Sequence, residues 1–240
     1  MMRRTLMGYF AILLMICMFS TEPPKAQERG PAPLPPLNDS SNIMASPIEM
    51  VSPGIFEIGE IRINKEKKEI SFPVVVNMDT DSHILEYLLV ENSGKLHESL
   101  LRTDVSPYAL QVSLLLLGLE GSLNPFAEQG DPRKPEGDRV SIHVTWQAGS
   151  QTKTAMVEEW LALGKKKVKD VPWVFTGSVI SNGMFLAQME KSIIALYHDP
   201  IAILDHQLEE GASDEVWFVN VDNIPPAGTK VSLVIGKKKK

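Results

Sequence analysis

From about residue 54 onward, apolar and polar positions mostly alternate with a period of two, which predicts strands rather than helices. Ile58 to Ile63 reads as a strand, Asn64 to Lys68 as a charged turn, and Ile70, Phe72, Val74 and Val76 as the inward positions of the returning strand. Pro73 lacks an N–H and marks an edge or a bulge there. Ile84 to Glu91 and Lys95 to Arg102 read as hairpin arms around Asn92-Ser93-Gly94. A further hairpin is predicted around Ala148-Gly149-Ser150, between Val140–Gln147 and Thr152–Glu158. Another lies around Ser181-Asn182-Gly183, where Asn-Gly is a strong turn signal. Ser192–Tyr197, Glu215–Asn220 and Thr229–Ile235 supply the remaining strands, and Glu158 to Leu163 reads as one helical turn.

Two stretches break this pattern. Ser106 is a good N-cap with Pro107 at the first helical position, and Leu110, Val112, Leu114, Leu115, Leu116 and Leu117 follow up to Gly118. With only Gln111 and Ser113 as hydrophilic residues, this helix is apolar nearly all round, so the pattern predicts a central buried helix. Asp199-Pro200 repeats the cap-then-proline start and predicts a second short helix through about Leu208. The fold class expected is therefore α+β: a mostly antiparallel sheet of hairpins packed around one central apolar helix, with a second short helix. Residues 118–138, rich in Gly, Pro and charge, are too long for an ordinary connection. They read equally as a functional or mobile loop and as a disordered insertion.

The N-terminus is patterned differently. Arg3 and Arg4 precede an apolar or small run from Thr5 to Phe19, with small residues at Ser20 and Ala26. A secretory signal over 1–26 is the expectation, with an uncleaved anchor as the alternative. Lipidation at Cys17 is disfavoured by Ile16, and a twin-arginine signal by the poor match of Thr5-Leu6-Met7. Residues 27–53 follow as a Pro-rich linker; the wider stretch 21–53 holds 8 of the 17 prolines. Such a stretch favours extended backbone and buries too little apolar surface to order itself. A single domain is expected over 54–236, ending in a basic tail at 237–240. Extracytoplasmic localisation, in the periplasm or cell envelope, follows, with membrane contact only through the N-terminal segment if it is uncleaved.

Composition then removes whole classes. The net charge of -6 argues against a nucleic-acid partner. One cysteine, Cys17, cannot build a disulfide framework, a zinc–cysteine site or a Cys-ligated iron–sulfur cluster. No phosphate-cradling glycine loop and no Gly-x-Ser-x-Gly elbow occurs. The histidines His83, His97, His143, His198 and His206 show no metal-helix spacing. Asp79-Thr80-Asp81-Ser82-His83 begins like a calcium loop but has Ile84 where glycine is required. No metal and no cofactor are expected. Trp146, Trp160, Trp173 and Trp217 read as core or edge packing rather than as a ligand platform.

Several phrases stand out in order: Gly94-Lys95-Leu96-His97-Glu98-Ser99-Leu100-Leu101, the Leu-rich helix ending at Leu117-Gly118, Trp173-Val174-Phe175-Thr176-Gly177-Ser178, Asp199-Pro200, and Gly228-Thr229-Lys230-Val231. Together they resemble the YdjY-domain family of exported bacterial proteins, over roughly residues 55 to 236. The resemblance implies no established activity. The ferredoxin-like label some members carry needs cysteines that this chain lacks, so no catalytic or cofactor residue is carried over.

His97, Glu98 and Ser99 are the candidate ligand-binding residues, joined by Phe126 from the long loop. On a strand, His97 and Ser99 would share a face and stand parallel instead of converging, which disfavours a nucleophile–base pair. His97 and His143, both on predicted strands, would meet if those strands pair across a sheet, and a structural histidine is the plainer reading. The function expected is a non-enzymatic domain that binds a small molecule or an envelope protein. The alternative is an envelope enzyme or redox accessory acting through His97, Glu98 and Ser99.

Overall fold

A computed structural model describes residues 46–238. The expected signal segment, most of the linker, and Lys239 and Lys240 lie outside the described residues. The strands run β1 (Ile48–Ser52), β2 (Ile55–Ile58), β3 (Ile61–Asn64), β4 (Glu69–Val76), β5 (Tyr87–Glu91) and β6 (Ser99–Thr103) before helix α1 (Pro107–Leu116). After α1 come β7 (Asp138–Ala148), β8 (Gln151–Met156), β9 (Leu161–Leu163), β10 (Lys166–Lys167), β11 (Trp173–Phe175), β12 (Ile180–Ser181) and β13 (Met184–Phe185). Helix α2 (Leu186–Glu190) leads into β14 (Ser192–Ala195), β15 (Leu204–His206), β16 (Trp217–Val219) and β17 (Lys230–Lys237).

The architecture is mostly β and corrects the expected α+β fold. Strands β4, β17, β7, β11, β15, β14, β5 and β6 pair in that order, and β6 pairs back to β4, closing an eight-stranded ring. A ring of this size has an interior just wide enough to be filled by side chains. Ile70, Phe72, Val74, Val140, Ile142, Val144, Leu233 and Ile235 alternate inward and are buried. That leaves no space for a central helix.

Helix α1 instead packs against β3 and α2. It begins as the sequence implies, with the Ser106 hydroxyl accepting from the Ala109 N–H at 3.1 Å. Leu110 and Leu114 are buried, whereas Val112, Leu115 and Leu116 are only half-buried. The two polar residues face inward: Gln111 Nε2 donates to the Gly177 carbonyl at 3.0 Å, and the Ser113 hydroxyl donates to the Ala109 carbonyl at 2.8 Å. The second helix expected at 199–208 is absent. Pro200–Ile203 form a turn and Leu204–His206 a ring strand, an arrangement that fully buries Ala202, Ile203 and Leu204. The second short helix is α2, where strand had been expected.

Two strands branch. β4 pairs with β3 over Glu69–Ser71 and with β6 over Val75–Val76 on the same side, and Pro73 lies between the two pairings. Its missing N–H costs no ladder bond at that gap, while its carbonyl accepts from the Thr103 hydroxyl at 2.7 Å. The β3 arm therefore leaves the ring at the proline. β7 branches likewise, pairing with β11 at Asp138–Arg139 and with β8 from His143 onward.

Other expectations shift in detail. Ile58–Ile63 is a tight hairpin of β2 and β3 rather than one strand, turning at Gly59 and Glu60. β5 and β6 are parallel neighbours, not hairpin arms, and β14 and β15 are parallel as well. Ile48–Ser52, which the composition groups with the linker, form β1. Lys237 ends β17, with its ammonium on the Asp138 carboxylate at 2.6 Å.

Candidate functional site

The two parallel pairs need connections that bring the chain back to the starting end. Residues 92–98 do this for β5 and β6, and residues 196–203 for β14 and β15. Because β5 and β14 are antiparallel neighbours, with Tyr87 opposite Ala195, the two returns lie close together. One carries Lys95, the other His198 and Asp199.

Tyr87 is the junction. Its fully buried hydroxyl donates to Asp199 Oδ2 at 2.7 Å and accepts from Lys95 Nζ at 2.8 Å and from Gln129 Nε2 at 3.1 Å. One donor and two acceptor sites are thus all used. Burial, reinforced by the Asp199 charge, pushes the phenol far above its ordinary value, so it stays protonated. Burial also raises the Asp199 carboxyl, against the hydrogen bonds from Tyr87 and from the Ile201 N–H.

Beside it lies a second group. Asp205 accepts from His198 Nδ1 at 2.7 Å, from the His206 N–H at 2.6 Å and from the Asp199 N–H at 3.2 Å. The Leu208 N–H donates to His206 Nδ1 at 3.2 Å, so that nitrogen carries no proton. The proton sits on Nε2, which donates to the Leu196 carbonyl at 2.8 Å. Burial lowers the His206 imidazole below its ordinary value and keeps it neutral. The Trp173 and Trp217 rings meet His206 edge-on, with centroids at 5.8 and 5.0 Å.

His198, Asp205 and His206 gather potential metal donors within 4.8 Å of one another. They fit a cation poorly, because both His206 nitrogens are already bonded and Asp205 already accepts three hydrogen bonds. The trio reads as a buried hydrogen-bonded network.

The 118–138 loop forms the roof. Phe126 stacks on His198 at 4.9 Å, and Arg133 lies over the Phe126 ring at 5.8 Å. Arg133 also donates to the Asp131 carboxylate through Nε and Nη2 and holds that carboxyl well below the usual range. The loop is ordered because its backbone docks on the ring: the Ser122 N–H donates to the Thr176 carbonyl and the Gly130 N–H to the His198 carbonyl. Two close approaches demand glycine. A Cβ at Gly137, where φ is +141°, would lie 2.0 Å from the Phe175 oxygen, and one at Gly211 would lie 2.1 Å from the His198 ring. Between roof and ring is a small cleft walled by Pro125, Phe126, Pro135 and Pro200, with Asn124 and Asp199 among its polar groups.

The structure distributes the sequence-derived candidates. His97 and Glu98 lie on a 3-10 turn, not a strand, with His97 Nε2 3.3 Å from the Glu98 carboxylate and 80% of the His97 side chain exposed. Ser99 is buried, and its hydroxyl donates to the Lys95 carbonyl at 2.7 Å. Phe126 is in the cleft. The loop and the His97 turn approach each other at Tyr87, through Gln129 and Lys95. His143 pairs with Val234 and Met156 in the sheet, not with His97. Trp160, Trp173 and Trp217 are core residues.

Sequence reasoning missed Tyr87, His198, Asp199, Asp205 and His206 as one network. A signal for part of it exists: His198-Asp199 and Asp205-His206 are mirrored pairs bracketing the apolar run Pro200 to Leu204.

Comparison with curated proteins and with solved structures gave no match. A family model, that of the YdjY domain, matches residues 61–236. The match runs from the first residue of β3 to the penultimate residue of β17, taking in the whole ring, both return connections and the roof loop; the chain belongs to the YdjY domain family.

Proposed function

We propose that this chain is an exported, extracytoplasmic domain that binds a small molecule or an envelope protein and does not catalyse a reaction. Export is supported by Arg3-Arg4, the apolar run after them and the Pro-rich stretch that follows. The contact face is the rim where the roof loop, the 196–203 return and the His97 turn converge.

One observation carries this reading: the hydroxyls at this face are tied down locally rather than to an imidazole. Ser99 donates to the Lys95 carbonyl, Thr176 to the Ala202 and Ile203 carbonyls, and Ser178 to the Ile201 carbonyl. Ser122 accepts from the Asn124 N–H. A serine nucleophile needs an imidazole in hydrogen-bond reach, and the partner His198 has is Asp205. Such a locally hydrogen-bonded surround suits recognition, with apolar walls for an aromatic or aliphatic group, Asn124 among the polar groups of the cleft, and His97 exposed on the turn that carries Lys95.

The test uses protein recovered from its own envelope fraction. Cross-linking and native mass spectrometry should show a retained partner or small molecule. His97→Ala and Asn124→Ala alter exposed side chains and should weaken that retention by about tenfold or more, the effect of losing roughly 1.4 kcal/mol, while leaving melting unchanged. Equal retention by both variants, or a full-length protein confined to the cytoplasm, would refute the proposal.

A further inference from the structure

The first strand stands apart from the ring. Among the described residues β1 pairs with β2 alone and ends the sheet order on that side. Its other edge therefore has no backbone partner among the described residues, and such an edge is a template for another strand. All five residues are exposed, with Ile48 at 53%, Met50 at 69% and Val51 at 51%. Edge strands are ordinarily blunted by lysine, by proline within the strand or by inward-pointing charge. β1 carries only Glu49. It also precedes residue 61, where the family match begins, so the arm is an addition to the shared domain.

We propose that β1 is a self-association edge, to which a second copy of this chain adds its own β1 in antiparallel fashion across a two-fold axis. An axis perpendicular to the sheet pairs a strand with itself about one central residue. Centred on Met50, all five residues pair: Ile48 faces Ser52, Glu49 faces Val51, and Met50 faces its counterpart. The single charge then meets an apolar residue. Centred on Glu49, two carboxylates would oppose each other, which is destabilising. The most exposed side chain thus falls at the centre, and the pattern is self-complementary in the register of greatest overlap. The irregularity between Met50 and Ser52 shortens the ladder. The dimer is accordingly reversible, in the class of contacts below about 1,200 Å².

A cysteine at position 50 reads the register. In a Cys17→Ser background, mild oxidation of the purified full chain should link Met50→Cys into a homodimer about tenfold more than Ile84→Cys, since only the former brings two thiols to high effective concentration. Ile84 is a control exposed at 39%, outside the arm. A charge exchange supplies the second arm. Met50→Lys and Met50→Glu should each run as monomers in sedimentation with wild-type melting, and an equal mixture should recover the dimer. The proposal is overturned if Met50→Cys links no better than Ile84→Cys, or if the charge-exchanged mixture stays monomeric. It is also overturned if Met50→Cys oxidised in its own envelope fraction gives adducts with the mass of a different protein, which would place a foreign strand on the edge.

Discussion

Replacing Asp205 with alanine is the sharpest test of the buried network. The carboxylate is fully buried and accepts three hydrogen bonds, from His198 Nδ1, the His206 N–H and the Asp199 N–H. Alanine leaves all three donors in place without an acceptor. A buried donor left unpaired costs about 1–3 kcal/mol, and breaking a buried charge-assisted pair costs about 3–5 kcal/mol. The substitution also removes the cost of burying the carboxylate, so a net loss of about 3–5 kcal/mol is expected. For a domain of this size each kcal/mol shifts the midpoint by about 2–4 °C, so Tm should fall by roughly 6–20 °C. Urea unfolding measures the loss directly, and the slope shows whether the unfolded reference has changed. His198→Ala provides the partner for a double-mutant cycle. With the imidazole gone, Asp205→Ala strands one donor fewer, so the two losses should fall short of additivity by about 1–3 kcal/mol. A loss below about 1 kcal/mol with an unchanged slope, or strict additivity with His198→Ala, would show that the network does not hold the return connection in place.

Three further outcomes are expected. Leu114→Asp buries a charge and should abolish folding or cost several kcal/mol, whereas half-buried Leu115→Asp should still fold; equal damage in circular dichroism melts would contradict the placement of α1. His206 is held neutral by burial, while the unfolded chain takes up its proton near the ordinary value of 6.5. Its contribution is therefore complete above that pH and is lost below it, by up to about 1.4 kcal/mol per pH unit. The raised carboxyls of Asp199 and Glu158 act in the opposite sense, gaining stability as pH falls, so the check is the difference between wild type and His206→Gln from pH 8 to 5. Gly137→Ala should unseat the roof loop, exposing the 118–138 segment to limited proteolysis. Gly149→Ala, where nothing lies within 4 Å, should cost only about 1 kcal/mol.

The local chemistry of the chain was legible residue by residue. Asn182-Gly183 and Ala148-Gly149-Ser150 turn hairpins because their backbone demands are intrinsic to those residues. Ser106-Pro107 starts a helix for the same reason. The exposure of His97 and the position of Phe126 in the cleft were less accessible. Each depends on how the 92–98 and 118–138 segments lie over strands distant in sequence.

What the sequence determined by itself is the set of pieces: the strand pattern, the turns, the α1 cap, the acidic balance, the lack of cysteines in the domain and the ordered phrases of the family. What only tertiary structure decided is how the pieces close. The pairing of β6 with β4 shuts the ring and displaces α1 to its flank, because an eight-stranded ring fills its interior with its own side chains. An apolar helix has the same pattern whether covered on all sides or on one. The cap-then-proline motif starts a helix at Ser106-Pro107, yet at Asp199-Pro200 the strand pairing of Leu204 and the burial of Ile203 and Leu204 outweigh it. The buried network follows from the same closure. Tyr87, Asp199 and Asp205 are up to 118 residues apart in the chain, and two parallel strand pairs bring them within hydrogen-bond reach.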